Sequence, residues 1–237
     1  MNIGPHIVLK FGDSGVFITD SVIFGAIVAI VLTILFAWMT RNMQRVPQGK
    51  QAVAEIIVEG IYTLVENTMG KKAVGYAPYI GTLFIWLLAG NMLGLIGIKP
   101  YTSDVNTTFA MALVTFILIQ RQAIKSHGFV GKLKEMGQPY PFMFPLKIIE
   151  QVSFPVSLAF RIFGNILGGV IVMELLFEGL HAASEALSLP IPLLQTIIPL
   201  PANFFFDVFE PILQAFIFVM LTMVFISMEI ATNDDEH

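Results

Sequence analysis

The sequence predicts an all-α membrane protein with about five membrane helices, one amphipathic surface helix and a C-terminal hairpin of two long, strongly tilted helices. Hydrophobic residues make up 56% of the 237 residues and charged residues only 13%, about half the charged share of soluble domains. The apolar residues also form long runs without charge, and a helix needs about 20 such residues to cross about 30 Å of hydrocarbon. This composition excludes a soluble enzyme and a disordered chain. The lack of cysteine excludes a disulfide scaffold.

Three charge-free runs in the first half of the chain predict spanning helices at residues 19–40, 75–98 and 105–125. Residues 1–18 precede them as an external N-terminal segment. The third run is somewhat short, but the long side chain of Arg121 can carry its charge to the headgroups. The first run is too long for a cleavable signal peptide, and no basic segment precedes it.

Residues 49–69 are predicted to form an amphipathic helix at the membrane surface. Apolar residues recur there at helical spacing, and Glu55, Glu59 and Glu66 give the opposite face its charge. A partner-binding helix is compatible with the same pattern. Residues 128–138 are polar and basic, and they predict a cytoplasmic loop.

Residues 140–180 and 190–231 are predicted to form the hairpin. Each arm has about 40 residues, which as a helix spans about 60 Å, twice the thickness of the hydrocarbon. Each arm must therefore break or lie tilted. The apolar pattern continues through the prolines of both arms, so we expect tilt.

The positive charges predict the orientation. Ten of the 13 Lys and Arg residues fall between residues 41 and 72 or between 121 and 147. Because cytoplasmic loops are rich in Lys and Arg, both segments should face the cytoplasm. This arrangement puts the N-terminus outside and the C-terminus inside. The net charge of −4 argues against nucleic-acid binding.

Arg161 is the residue on which a functional prediction rests. It lies in the middle of an apolar arm, where a charge costs about 2.5–3.5 kcal/mol on insertion scales, and it does not lose its proton. It must therefore face a water-filled cavity or a carboxylate; the alternative is a structural or snorkelling arginine. Asn165 lies one turn further on the same face, and Gly164 and Gly168 allow another helix to come close.

The second arm carries Asp207, Glu210 and Gln214, whose spacing puts them on one stripe of a helix. If the arms pair antiparallel, Gln214 comes level with Arg161, and two polar paths open to opposite faces. Each carboxylate could instead lie at headgroup level. The candidate site residues on these paths are Ser157, Arg161, Asn165, Glu174, His181, Asp207, Glu210 and Gln214.

The sequence contains no residue set that indicates metal binding, nucleophilic catalysis or phosphate binding. The four histidines lack metal-ligand spacing, and no nucleophile motif or phosphate-binding loop occurs, so we expect no enzyme, no metal and no cofactor. The alternative function is a self-contained secondary transporter that binds an anionic substrate with Arg161. Such transporters usually contain internal repeats, and none is visible.

Four runs carry a resemblance to a known family. Residues 155–165, Pro-Val-Ser-Leu-Ala-Phe-Arg-Ile-Phe-Gly-Asn, resemble the signature of subunit a in the membrane sector of rotary F-type ATP synthases of bacteria. Residues 213–222 resemble the last helix of that family, and residues 91–96 and 102–108 its earlier helices. The resemblance covers nearly the whole chain.

The resemblance implies a non-catalytic stator subunit of the bacterial plasma membrane. Its implied partners are a ring of small c subunits, each with one buried carboxylate, the peripheral-stalk subunit b and the remainder of the synthase. Arg161 would stand between two offset half-channels that carry H⁺ or Na⁺. The family often has a carboxylate where this chain has Val170, and Glu or His where it has Asp207, so Glu174, Asp207 and Glu210 are expected to line the outer path.

Overall fold

The computed structural model describes residues 7–11, 16–137, 140–186 and 193–231. A short antiparallel hairpin precedes eight helices. The strands and helices are β1 (Ile7–Phe11), β2 (Val16–Thr19), α1 (Asp20–Thr40), α2 (Lys50–Met69), α3 (Ala77–Asn91), α4 (Val105–Met136), α5 (Phe144–Ala186), α6 (Leu193–Ile197), α7 (Pro199–Phe204) and α8 (Glu210–Ala231). Short 3₁₀ turns and one π turn join some of them.

Five helical segments among the described residues are long and apolar enough to cross a membrane, which confirms the predicted all-α membrane class. They are Asp20–Thr40, Lys71–Ile96, Val105–Leu133, Phe144–Ala186 and Gln195–Ile230. The β1–β2 hairpin was not predicted. Its signal was present in the sequence, because two runs rich in β-branched and aromatic residues flank a Gly-Asp-Ser-Gly segment.

The core lies where α3, α4, α5 and α8 meet. Leu87, Ala112, Ile162 and Phe218, one from each of these helices, are completely buried in it. The surface helix α2 adds Val65 and Met69 to the same core, while Ile56 and Val58 stay exposed. In the most apolar 18-residue stretch of α1, only 6% is buried within the protein. Helix α1 therefore presents most of its surface to lipid.

Helix α4 extends to Met136 and is longer than predicted. The prediction of a loop at residues 128–138 is therefore wrong for residues 128–136. Gly128 adopts a positive φ of 71°, which bends the chain, and the helix then resumes. The resumed turn is held in place because Lys132 Nζ donates to both carboxylate oxygens of Glu229, each at 2.8 Å. Residues 138 and 139 lie outside the described part of the chain.

The two arms of the hairpin differ. Helix α5 runs unbroken for 43 residues through Pro155, as the continuous apolar pattern predicts. The second arm does break, contrary to the prediction. Pro199 and Pro201 lie in the first turn of the short helix α7, and a π turn, Phe205–Phe209, follows it. The π turn ends two residues before Pro211, whose nitrogen has no hydrogen to donate to the carbonyl of Asp207 and whose ring would clash with that carbonyl in an α-helix. The wider turn relieves this clash.

A tight aromatic cluster fixes the connection between α3 and α4. Tyr101 is fully buried, donates from its hydroxyl to the carbonyl of Trp86 at 2.6 Å and packs on the Trp86 ring at 4.5 Å. Trp86 in turn donates from Nε1 to the carbonyl of Gly25 in α1 at 3.1 Å. Burial raises the pKa of Tyr101, so its hydroxyl stays protonated and remains a donor. The cluster thereby ties α1, α3 and the 101–103 turn together.

Gly90 leaves the space that Tyr101 fills, since a Cβ atom there would lie 2.1 Å from the tyrosine ring. We predict that Gly90→Ala destabilises the protein by about 1–3 kcal/mol through overpacking. Gly60→Ala is the matched control, because nothing lies within 4 Å of its Cβ position, and alanine favours a helix by about 1 kcal/mol. Thermal unfolding in detergent measures both, and an unchanged Tm for Gly90→Ala would contradict the packing.

Candidate functional site

A cavity of about 670 Å³ lies between the end of α3, the connection to α4, helix α5 and the second arm. Most of its wall is apolar, with Ile166, Val170 and Phe206 among the contributors. Its polar lining comes from Asn91, Lys99, Ser103, Asn165, Glu174, Asn203, Asp207, Glu210 and Gln214. A pocket of this size and composition is typical of a site that admits water and small polar species.

Asn165 and Gln214 join the two long arms inside this cavity. The Nδ2 atom of Asn165 donates to Oε1 of Gln214 at 2.8 Å, and Gln214 is only 3% exposed. Gly169, one turn further along α5, lies against Phe206 and Glu210 of the other arm. The arms are therefore antiparallel, with Gln214 opposite Asn165 and one turn of α5, about 6 Å, away from Arg161.

Two carboxylates of the cavity lie beside glycines of the elements that they face. Oδ1 of Asp207, in the π turn, lies 3.7 Å from the position that a Cβ on Gly94 would take. Oε2 of Glu210, at the start of α8, lies 3.7 Å from the corresponding position on Gly169. Both carboxylates are half-buried, while Glu174 is exposed at the rim.

Arg161 lies one turn before Asn165 on α5 and is not among the residues that line the cavity. Its side chain is half-buried, and among the described residues it has no hydrogen-bond or ion-pair partner. Beside it, Gly164 and Gly168 have nothing within 4 Å of their Cβ positions. Within the described residues, Arg161 is therefore an unpaired cation next to a helix face that another chain could approach closely.

Comparison with known proteins identifies the family. The family model described as the ATP synthase A chain matches residues 22–227. The chain belongs to the ATP synthase subunit a family. A relative from Moorella thermoacetica, named ATP synthase subunit a, is 38% identical over 84% of this chain and 86% of its own length. One from Aliarcobacter butzleri is 37% identical over 87% of both chains.

A further relative, from Propionigenium modestum, is named as the sodium-ion-specific subunit a; it is 32% identical over 90% of this chain and 75% of its own length. Membership of this family confirms two predictions. The chain is a multi-pass bacterial membrane protein, and it is a component of the synthase other than the catalytic subunits. Across the described part of the chain, no group of three or more His, Cys, Asp or Glu side chains could hold a metal ion.

Of the eight candidate site residues predicted from the sequence, the structure brings five together. Asn165, Glu174, Asp207, Glu210 and Gln214 all line the cavity. The other three do not line it. Arg161 and Ser157 lie nearer the N-terminal end of α5, with Ser157 exposed, and His181 forms an exposed pair with Glu185 at 3.5 Å.

The sequence analysis missed Asn91 and Ser103 as lining residues of the cavity. Asn91 could have been identified from the sequence, because it is a polar residue within an otherwise apolar span, where such residues usually face the protein interior. Ser103 gave no such signal, because its position depends on the fold of the α3–α4 connection. Within the described part of the chain, neither the Nδ2 atom of Asn91 nor the hydroxyl of Ser103 has a hydrogen-bond partner.

We predict a measurable coupling between Asn165 and Gln214. In a double-mutant cycle with Asn165→Leu and Gln214→Leu, the stability losses should be non-additive by about 0.6 kcal/mol, and by no more than about 1.7 kcal/mol, as for other interhelical hydrogen bonds in membranes. Unfolding of the purified subunit in bicelles provides the free energies. Strictly additive losses would show that the two amides do not bond.

Proposed function

We propose that this subunit a is the ion-translocating stator of the synthase, with two offset half-channels and Arg161 between them, and that it couples H⁺ or Na⁺ flow to rotation of a ring of c subunits. The observation that carries the proposal is the unpaired Arg161 on an open face of α5, one turn from the polar end of a carboxylate-lined cavity. The resemblance of residues 155–165 to the family signature supports it.

The cavity is proposed to be the outer half-channel. Glu174, Asp207 and Glu210 outnumber Lys99, the one Lys or Arg among its described lining residues, and a surplus of negative charge raises the local concentration of cations. An ion that enters would pass along these carboxylates to Gln214 and Asn165. From there it would be handed to a carboxylate on the neighbouring ring.

The ring would pack on the α5 face that carries Gly164 and Gly168, since that face is open in this chain. A ring carboxylate that has bound its ion is neutral and can turn into lipid, whereas the bare carboxylate would cost several kcal/mol there. Arg161 stays charged at any accessible pH. It would attract the passing ionised carboxylate, displace the ion and block direct leakage between the half-channels.

The inner half-channel is proposed to begin near Ser157, which is exposed one turn before Arg161, toward the N-terminal end of α5. The proposed orientation puts the N-terminus outside and the C-terminus in the cytoplasm of a bacterial cell. His181 would then lie at the outer rim. The membrane potential supplies about 2.3 kcal/mol per charge per 100 mV to drive each transfer. Peripheral-stalk subunit b and the rest of the synthase complete the assembly.

We predict that Arg161→Ala abolishes ion-coupled ATP synthesis, because no fixed charge would remain to displace ions from the ring. ATP hydrolysis by the soluble head should persist. Arg45→Ala, which removes an exposed loop cation, is the matched control and should leave synthesis unchanged. Synthesis by reconstituted complexes under an imposed ion gradient measures the effect, and a normal rate for Arg161→Ala would overturn the role.

Gln214→Ala should slow ion translocation without abolishing it, since the amide lies on the path but carries no charge. Loss of one hydrogen bond to a neutral group corresponds to roughly a fivefold effect. Thr222→Ala is the control: Thr222 is buried two turns away on α8, and its hydroxyl bonds only to the carbonyl of Phe218. ATP-driven ion uptake equal to that of the parent would remove Gln214 from the path.

A further inference from the structure

We infer that subunit a binds a phospholipid with a primary-ammonium headgroup, a phosphatidylethanolamine, in a second groove between α1 and the start of α4. This groove has a volume of about 620 Å³, and it shares no lining residue with the cavity described above. The inference goes beyond the proposed ion translocation and does not depend on it. It rests on the chemistry at one end of the groove and on the dimensions of the rest.

The groove is polar at one end and apolar along the rest of its length. The polar end is lined by Thr19, Ser21, Asp104, Asn106 and Thr107. The apolar part is lined by Val22, Gly25, Ala26, Ala29, Trp86 and Ala110. Most of these apolar residues are small, so they leave space between the helices. The order of polarity matches an amphiphile whose headgroup lies at one end and whose acyl chain follows α1.

The polar end lies where the charge-free runs of α1 and α4 begin. Asp20 and Asp104 are the last charged residues before these runs. The hydroxyl of Thr19 donates to Oδ2 of Asp104 at 3.3 Å, which holds the two helix starts level with each other. From Thr19 to Ala29 the chain rises about 15 Å, half of the roughly 30 Å of hydrocarbon in a bilayer. The groove therefore extends through one leaflet, with its polar end at the headgroups.

The width of the groove favours an acyl chain over a protein helix. A volume of about 620 Å³ spread over about 15 Å gives a mean cross-section of about 40 Å². An α-helix with its side chains is about 10 Å across and needs about 80 Å². The rim residues Val22, Ala26, Ala29 and Ala110 are exposed, so the groove opens sideways to the lipid that surrounds α1.

Asp104 selects the headgroup. It is only 4% exposed, and its carboxylate accepts from the Thr19 hydroxyl and from the backbone nitrogen of Asn106 at 3.0 Å. Among the described residues no Lys, Arg or His forms an ion pair with it. A buried carboxylate without a compensating charge is costly, and it can accept about four hydrogen bonds. An ammonium group supplies the charge and three donors, whereas a choline headgroup has no N–H donor and a phosphoglycerol headgroup has no positive charge.

Photo-crosslinking in the intact synthase tests the site. The probes are a phosphatidylethanolamine and a phosphatidylcholine with the same diazirine-bearing acyl chain, each added to phosphatidylcholine vesicles that contain the synthase. After illumination, peptide mass spectrometry locates the adducts on α1. We expect the ethanolamine probe to modify Val22, Ala26 and Ala29 about fivefold more than the choline probe does, a modest effect for hydrogen bonds to a charged group.

Ile27 and Val31 provide a reference on the same helix. Both are exposed, and helical spacing puts them on the face of α1 away from the groove. Both probes should therefore modify them equally. Equal modification of the groove residues by the two probes would overturn the inference. Adducts at Ile27 and Val31 alone would show that a protein segment covers the groove, which would overturn it as well.

Asp104→Asn tests the contact with the headgroup. Asparagine caps a helix about as well as aspartate does, so α4 should still begin at the same place. The charge is lost, however, and the fivefold preference for the ethanolamine probe should disappear. Asp20→Asn is the matched control and should keep the preference, because Asp20 begins α1 at the same level but is not among the residues that line the groove. A preference that survives Asp104→Asn, or stronger modification by a phosphatidylglycerol probe, would show that Asp104 does not select the lipid.

Discussion

The structure depends on one constraint: a guanidinium that cannot lose its proton lies in the middle of a 43-residue apolar helix. In hydrocarbon such a charge must be compensated, and the described part of the chain offers Arg161 no acidic partner. In the proposed function, this compensation comes from an acidic group of a neighbouring chain. The open face beside Gly164 and Gly168 gives such a chain room to approach.

The acidic groups of this chain are kept away from that arginine by the pairing of the arms. The bond between Asn165 and Gln214 sets the register, and the carboxylates of Asp207 and Glu210 fall further along α5, toward its C-terminal end. Charge attraction within the subunit is thereby avoided, and the cation remains available to a partner.

Local sequence patterns predicted the parts of the molecule that depend on local physics. Long charge-free runs determine membrane helices whatever their neighbours, and helical spacing put Asp207, Glu210 and Gln214 on one stripe that the π turn preserves. The extension of α4 was missed because it depends on the distant ion pair between Lys132 and Glu229. Ser103 was missed for the same kind of reason, since only the folded α3–α4 connection brings it to the cavity.

The π turn at Phe205–Phe209 has a consequence for the helices on either side of it. A π turn holds one residue more than an α-helical turn, so it offsets the rotational phase of α7 from that of α8 by a fixed angle, about 100° for one residue. The faces that α7 and α8 present to α5 are therefore set by this one surplus residue.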